Sequence, residues 1–211
     1  MDRSRTPLEK WAAAIECLSA TNGVNAKQLA ERIDVSHKTA WLMLRKFRHA
    51  ISVAEAGKKL HGTVLAGLET LAPRYLFLFL PERRFRKERV VVVAGSLKPD
   101  GRLSAIKIGT VEAPLLEAGT KRLTGEGAER LLERYAASRM EWLDSVKMYQ
   151  SSLRECLQDA KSWMNHLFNG LGTKYIQSYL DEYTFRYNAA ASGRSLRNDC
   201  FEALLGVRAA V

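Results

Sequence analysis

The 211-residue sequence predicts an α/β protein, with an N-terminal three-helix helix-turn-helix domain ahead of a mixed sheet and C-terminal helices. Three observations carry this. Residues 24–51, VNAKQLAERIDVSHKTAWLMLRKFRHAI, place apolar side chains where two steeply crossing helices need contacts. Short, apolar, β-rich segments follow between residues 62 and 111, and amphipathic helical spacing takes over from residue 127. Strands first and helices afterwards make a layered second domain, which divides the chain into residues 1–52, a linker at 53–60, and residues 61–211.

The first helix has Thr6 as N-cap, Pro7 at its first position and Glu9 three residues after the cap, and Asn22-Gly23 stops it. Leu8, Trp11, Ala12, Ile15 and Leu18 recur at helical spacing and form the stripe that covers the next two helices. In those two, the contacts fall to Leu29, Ala30, Ile33, Val35, Ala40, Leu44 and Phe47. Asp34 takes the turn position that usually prefers glycine, because a short carboxylate tolerates the left-handed conformation better than most side chains. Ser36 then caps the second helix of the motif.

The outward face of that helix is expected to carry His37, Lys38, Trp41, Arg45 and Arg48, with Ser36 and Thr39 at its start. Arg45 is the candidate base reader, since a guanidinium can pair with guanine in the major groove, while Lys38 and Arg48 suit phosphates. Trp41 reads better as packing against a neighbouring element than against DNA.

Charge points to the same partner, double-stranded DNA. The formal net charge is +10, and residues 1–102 hold 19 Lys/Arg against 10 Asp/Glu while residues 103–211 hold 14 against 13. A basic field concentrated in the front half attracts the phosphate backbone, so binding should weaken steeply with salt. MDRSRTPLEK has no apolar core of a signal peptide, and the longest apolar run, Tyr75 to Leu80, is too short to span a bilayer. Cys17, Cys156 and Cys200 are scattered, form no CxxC pair and do not cluster with His37, His49, His61 or His166, which indicates neither a zinc site nor a disulfide framework. The expectation is a cytoplasmic, nucleoid-associated protein with no membrane partner.

After residue 47 the helical pattern fades from Ala50 to Lys59. Gly62 to Leu68, YLFLFL at 75–80 and VVVVA at 90–94 then read as strands covered on both faces. Pro99-Asp100-Gly101 supplies the turn before a strand from Leu103 to Val111. Between two strands lies PERRFRKER, with Arg83, Arg84, Arg86, Lys87 and Arg89 around Phe85. It reads equally as a loop gripping nucleic-acid backbone and as a solvated loop with Phe85 tucked into the core. Helices are expected at 127–137, 152–169 and 174–188, with Asn169-Gly170 as a C-cap. Trp163 and the stripe of Ile176, Tyr179 and Tyr183 read as core.

Two segments resemble a known family. Residues 10–51 look like the N-terminal region of the ISXO-type group of bacterial insertion-sequence transposases. DAKSWMNHLFNGLGTKYIQSYLDEYTFRYN, at 159–188, follows that group's run of lysine, tryptophan, a glycine-containing turn and a helix ending in a YLDEF-FR-N signature, here Tyr179, Leu180, Asp181, Glu182, Tyr183, Phe185, Arg186 and Asn188. FEALLG, at 201–206, resembles its closing motif. The resemblance implies a reduced RNase H-like catalytic domain, self-association as a homodimer or larger assembly, and DNA cutting and joining by acidic residues that hold two magnesium ions.

Matched position by position, the acidic set is broken. The stretch that should read V-D-E-T is Gly67-Leu68-Glu69-Thr70, so Leu68 stands where the first metal-binding aspartate belongs. Glu69 is adjacent, but consecutive strand residues face opposite ways, so it should look away from the site unless the strand is bulged. Asp144 and Tyr149 reproduce a D-x4-Y spacing found on and after the fourth strand, and Asp144 reads equally as a metal ligand and as a helix cap. Asp159, two residues before Lys161, aligns with the third position, but the segment from Met148 to Leu157 is shorter than in relatives. Relatives also often begin with a zinc ribbon, for which this chain has no cysteine pairs. Three functions follow: a DNA-binding transposase relative that has lost its chemistry, a divergent active transposase using Glu69, Asp144 and Asp159 with magnesium, and a transcription regulator whose sheet serves only dimerisation.

Overall fold

The computed structural model describes residues 6–71, 88–168 and 173–206. Helix α1, Leu8–Ser19, buries Trp11, Ala14, Ile15 and Leu18. It starts one residue later than its cap signal implies: Pro7 is itself the N-cap, extended at ψ 149°, and its carbonyl accepts from the amides of Lys10 and Trp11. Helix α2, Ala26–Ile33, opens through a capping box in which the Asn25 side chain accepts from the Gln28 amide and the Gln28 side chain accepts from the Asn25 amide. Asp34 ends it at φ 51°, as its place in the turn requires. Helix α3, His37–Ala56, starts from Ser36, whose Oγ accepts from the Thr39 amide at 3.1 Å.

Helix α3 does not fade near residue 50. It runs for 20 residues, so the expected linker at 53–60 is helical to Ala56. The polar residues that weaken its apolar pattern, Arg48, Ser52 and Glu55, each bind a polar partner in the second half of the chain.

Three strands form an antiparallel meander: β1, Thr63–Leu71, β2, Arg89–Leu97, and β3, Leu103–Thr110. Gly101, at φ 80°, closes the β2–β3 turn with its amide on the Lys98 carbonyl at 2.9 Å. A short fourth strand, β4, Met140–Trp142, pairs parallel to β1, giving the order β3-β2-β1-β4. Alternation explains the unbroken valines of β2. Val91 and Val93 join Leu71, Ile106 and Ile108 on one face, whereas Val92 and Ala94 join Val64 and Ala66 on the other.

Helix α4, Gly125–Tyr135, is capped by Thr124 and covers the second of those faces with Leu131 and Tyr135. The Tyr135 hydroxyl end comes so close to β3 that a Cβ at Gly109 would fall 1.9 Å from it. After β4 come α5, Ser145–Tyr149, and α6, Ser152–Phe168, whose Leu153, Leu157, Ala160 and Met164 cover the first face. A 3₁₀ turn at Thr173–Tyr175 leads into α7, Ile176–Ala191, and α8, Leu196–Gly206, closes the described chain. YLFLFL, PERRFRK and the Asn169-Gly170 turn lie outside the described residues.

The front helices share their core with the back of the chain. Trp11 meets Phe47 edge-on at 5.5 Å, and both pack in one cluster with Phe185 of α7 and Cys200 and Leu204 of α8. Helix α7 also covers the open edge of β3. The Asn188 side chain accepts from the Ile106 amide at 2.8 Å and donates to its carbonyl at 3.1 Å, and Gln177 accepts from the Thr110 amide at 2.7 Å and donates to the Ile108 carbonyl at 3.2 Å. These side chains stand in for a missing strand. No helix among the described residues is long and apolar enough to cross a membrane.

Candidate nucleic-acid interface

The first half of α3 presents an open cationic surface. His37, Lys38, Trp41, Leu42, Arg45, Lys46 and His49 are exposed, Thr39 is half-buried beside Ser36, and residues 35–54 contain no Asp or Glu. Trp41 was expected to pack away, yet it stays 37% exposed, with the Arg45 guanidinium 5.6 Å from its ring centre. Leu42, Lys46 and His49 share this surface and escaped the sequence reading. Their signal was available in the helical spacing from Lys38, which reaches 42, 46 and 49.

Arg48 is the one residue of the expected outward face that the structure turns inward. Positions 41, 45, 48, 52 and 55 form a single stripe, and α7 lies against its second half. Arg48 is 5% exposed; its Nε donates to Glu182 Oε2 at 2.8 Å, and its guanidinium carbon lies 4.2 Å from the Tyr179 ring centre. It is therefore unavailable to phosphates. Further along the stripe, Ser52 Oγ donates to Asp181 Oδ2 at 2.6 Å, and Glu55 takes Lys107 at 2.9 Å and Lys58 at 2.8 Å.

The YLDEYTFRYN segment thus works as a clamp between the front helices and the sheet. Arg186 donates to Glu182 Oε1 at 3.0–3.1 Å, to the Ala20 carbonyl at 3.0 Å and to the Leu18 carbonyl, so it caps the C-terminus of α1. Burial pushes the Glu182 carboxyl up, but Arg48 and Arg186 outweigh it and hold the group below the ordinary glutamate value. Glu55 behaves alike: burial raises it, and Lys107 and Lys58 bring it below normal. For Asp181 burial wins over its Ser52 and Gln177 hydrogen bonds, and the carboxyl is raised. Trp163 is half-buried as core, edge-on to Phe168, and its Nε1 donates to the Asn22 carbonyl at 3.1 Å. Arg83, Arg84, Arg86 and Lys87 lie outside the described residues.

The acidic residues divide between two places. Leu68 packs toward the α4 side of the sheet, and Glu69 points to the other side. The β1 register to β2 is unbroken from Thr63 to Leu71, so the alternation expected of a regular strand holds. Both residues nevertheless line the cleft at the ends of β1 and β4, together with Asp144, so Glu69 is not shut out of it. Glu69 is already engaged, with Arg154 Nη1 at 3.1 Å from its Oε1. Beside it, burial lowers the Lys161 amine; Glu69 partly offsets this and Arg154 adds to it. Asp144 is the N-cap of α5, its Oδ1 accepting from the Lys147 amide at 2.8 Å. Asp159 is exposed on another flank of α6 and lines a separate cleft with Lys98, Arg102 and Tyr187.

Asp159 therefore does not converge with Glu69 and Asp144, and the cleft adds Lys121 and Arg122 to the cations Arg154 and Lys161 nearby. Among the described residues no group of three or more His, Cys, Asp or Glu side chains is placed to hold a metal ion. One carboxylate paired to arginine, one spent on a helix cap and four surrounding cations do not fit a pair of magnesium ions. The thiols of Cys156 and Cys200 are buried and pushed up to about 12, so neither is a nucleophile at neutral pH. No protein-family model matches the chain, and no curated protein or solved structure matches it either.

Proposed function

We propose that this chain is a DNA-binding protein of the insertion-sequence transposase type, which engages duplex DNA through the first half of α3 and lacks that group's metal-dependent strand cleavage. The observation that carries the reading is the exposed row Lys38, Trp41 and Arg45, free of acidic neighbours along the helix and set behind the left-handed turn at Asp34. Such a row offers guanidinium for a base edge and ammonium for phosphates.

The transposase part of the reading is supported by the sheet. A site built from the first and fourth strands needs β1 and β4 side by side, and they pair in parallel and end at one cleft. That cleft also favours a second reading, in which Glu69 and Asp144 retain chemistry. The Glu69–Arg154 pair weighs against it, because a resident guanidinium supplies the positive charge that a metal would bring.

Selection from a duplex pool with a randomised centre tests the proposal. The wild type should enrich a consensus, and Arg45→Ala should relax one or two of its positions. A wild type that enriches nothing overturns the DNA-binding reading. Nicking of the enriched duplex with magnesium or manganese, abolished by Asp144→Ala, replaces the proposal with the second reading.

A further inference from the structure

We infer that the DNA-contacting surface extends beyond the helix-turn-helix to Lys174 and Tyr175, in the 3₁₀ turn that opens α7, and that Tyr175 and Trp41 together hold the Arg45 guanidinium ready for duplex DNA. This rests on the DNA-binding reading above and adds residues from the opposite end of the chain.

The geometry is specific. The Arg45 guanidinium carbon lies 5.6 Å from the Trp41 ring centre and 6.0 Å from that of Tyr175, and Lys174 Nζ lies 5.4 Å from the Tyr175 ring. Both rings are open to solvent, Trp41 at 37% and Tyr175 at 39% exposure. Among the described residues Arg45 makes no ion pair, so its charge rests on ring faces alone. A guanidinium held in that way keeps its in-plane N–H donors free, whereas one paired to a carboxylate must first break that pair to reach a base or a phosphate. Two flanking rings also restrict its rotamers before binding, which reduces the ordering cost on the duplex.

The placement of Tyr175 is enforced from below. Asp181 and Glu182 fasten α7 to Ser52 and Arg48 of α3, so the start of α7 lies beside the next residue up the same stripe, Arg45. Charge complementarity names the occupant. Lys38, Arg45, Lys46 and Lys174 make a cationic surface, and Trp41 and Tyr175 add apolar faces for sugar or base contact.

The test compares wild type, Lys38→Ala, Lys174→Ala, Tyr175→Ala and Tyr175→Phe by fluorescence anisotropy on the randomised duplex pool over a range of salt, each variant checked for fold by near-UV circular dichroism. Lys174→Ala should lower the salt slope by about 0.9. Tyr175→Ala should weaken binding about two- to fivefold, and Tyr175→Phe should restore it, since the ring is what counts. Lys174→Ala and Tyr175→Ala both at wild-type affinity and slope, with Lys38→Ala weakened, overturn this inference and leave the DNA-binding reading standing. If Lys38→Ala is also unchanged, that reading falls with it.

Discussion

Arg48 Nε and Glu182 Oε2 meet at 2.8 Å in the protein interior, 134 residues apart in the chain, and this pair joins the front helices to the sheet layer. Glu182 is fully buried and also serves Arg186, so it neutralises two guanidiniums at once. Glu182→Gln leaves both without a counter-charge. The expected loss is about 3–5 kcal/mol of unfolding free energy, read from the shift in a urea transition. An unchanged midpoint would mean that the two halves are not coupled through this contact.

The same cluster sets the response to acid. Glu182 and Glu55 have folded-state carboxyls below the ordinary value of 4.5, so their contribution is present above that value and is lost as pH falls through the lowered folded range. Asp181, raised above 3.8, runs the other way: its contribution is full below 3.8 and is lost as pH rises through its folded value. Below pH 3.8 the Asp181 contribution no longer changes while those of Glu182 and Glu55 are still being lost, so stability falls there. Urea midpoints measured across that range should fall for the wild type and fall less for Glu182→Gln.

Covering the β3 edge has a local signature. In Asn188→Ala the Ile106 amide loses its acceptor, and in Gln177→Ala the Thr110 amide does. Each is expected to cost about 1–3 kcal/mol. Hydrogen exchange should accelerate at Ile106 in the first variant and at Thr110 in the second, with little crossover.

Magnesium is expected to leave the protein's melting temperature unchanged at millimolar concentration. Any ligand that binds only the folded state raises that temperature, so a flat response is informative. A rise with magnesium that disappears in Glu69→Gln would show that Arg154 does not pre-empt the carboxylate.

What the sequence discloses here is what neighbouring residues decide. The turn at Asp34, the Ser36 cap and the Pro99-Asp100-Gly101 turn are local, and each stands where its chemistry puts it. The unbroken valines from 90 to 93 report two covered faces because strand alternation is equally local. The fate of Arg48 is not local. Its helical spacing matches that of Trp41 and Arg45, and only the arrival of Glu182 from α7 separates a buried partner from an exposed contact. The end of α3 was hidden for the same reason, since Ser52 and Glu55 look like surface residues until Asp181 and Lys107 are beside them. The acidic set shows both limits. Leu68 was legible as an apolar residue at a position meant for a ligand, but the Arg154 pairing of Glu69 and the separate cleft of Asp159 depend on how α6 crosses the sheet.

The most direct test of DNA binding through α3 is the dependence of affinity on salt for the randomised duplex pool, compared among wild type, Lys38→Ala and Lys98→Ala. Lys98 is another exposed lysine, in the β2–β3 turn outside the proposed surface, and serves as the charge-matched control. The expected result is a slope about 0.9 shallower for Lys38→Ala and unchanged for Lys98→Ala. Equal slopes for the two variants would contradict the assignment, because the attraction would then come from diffuse charge and not from α3.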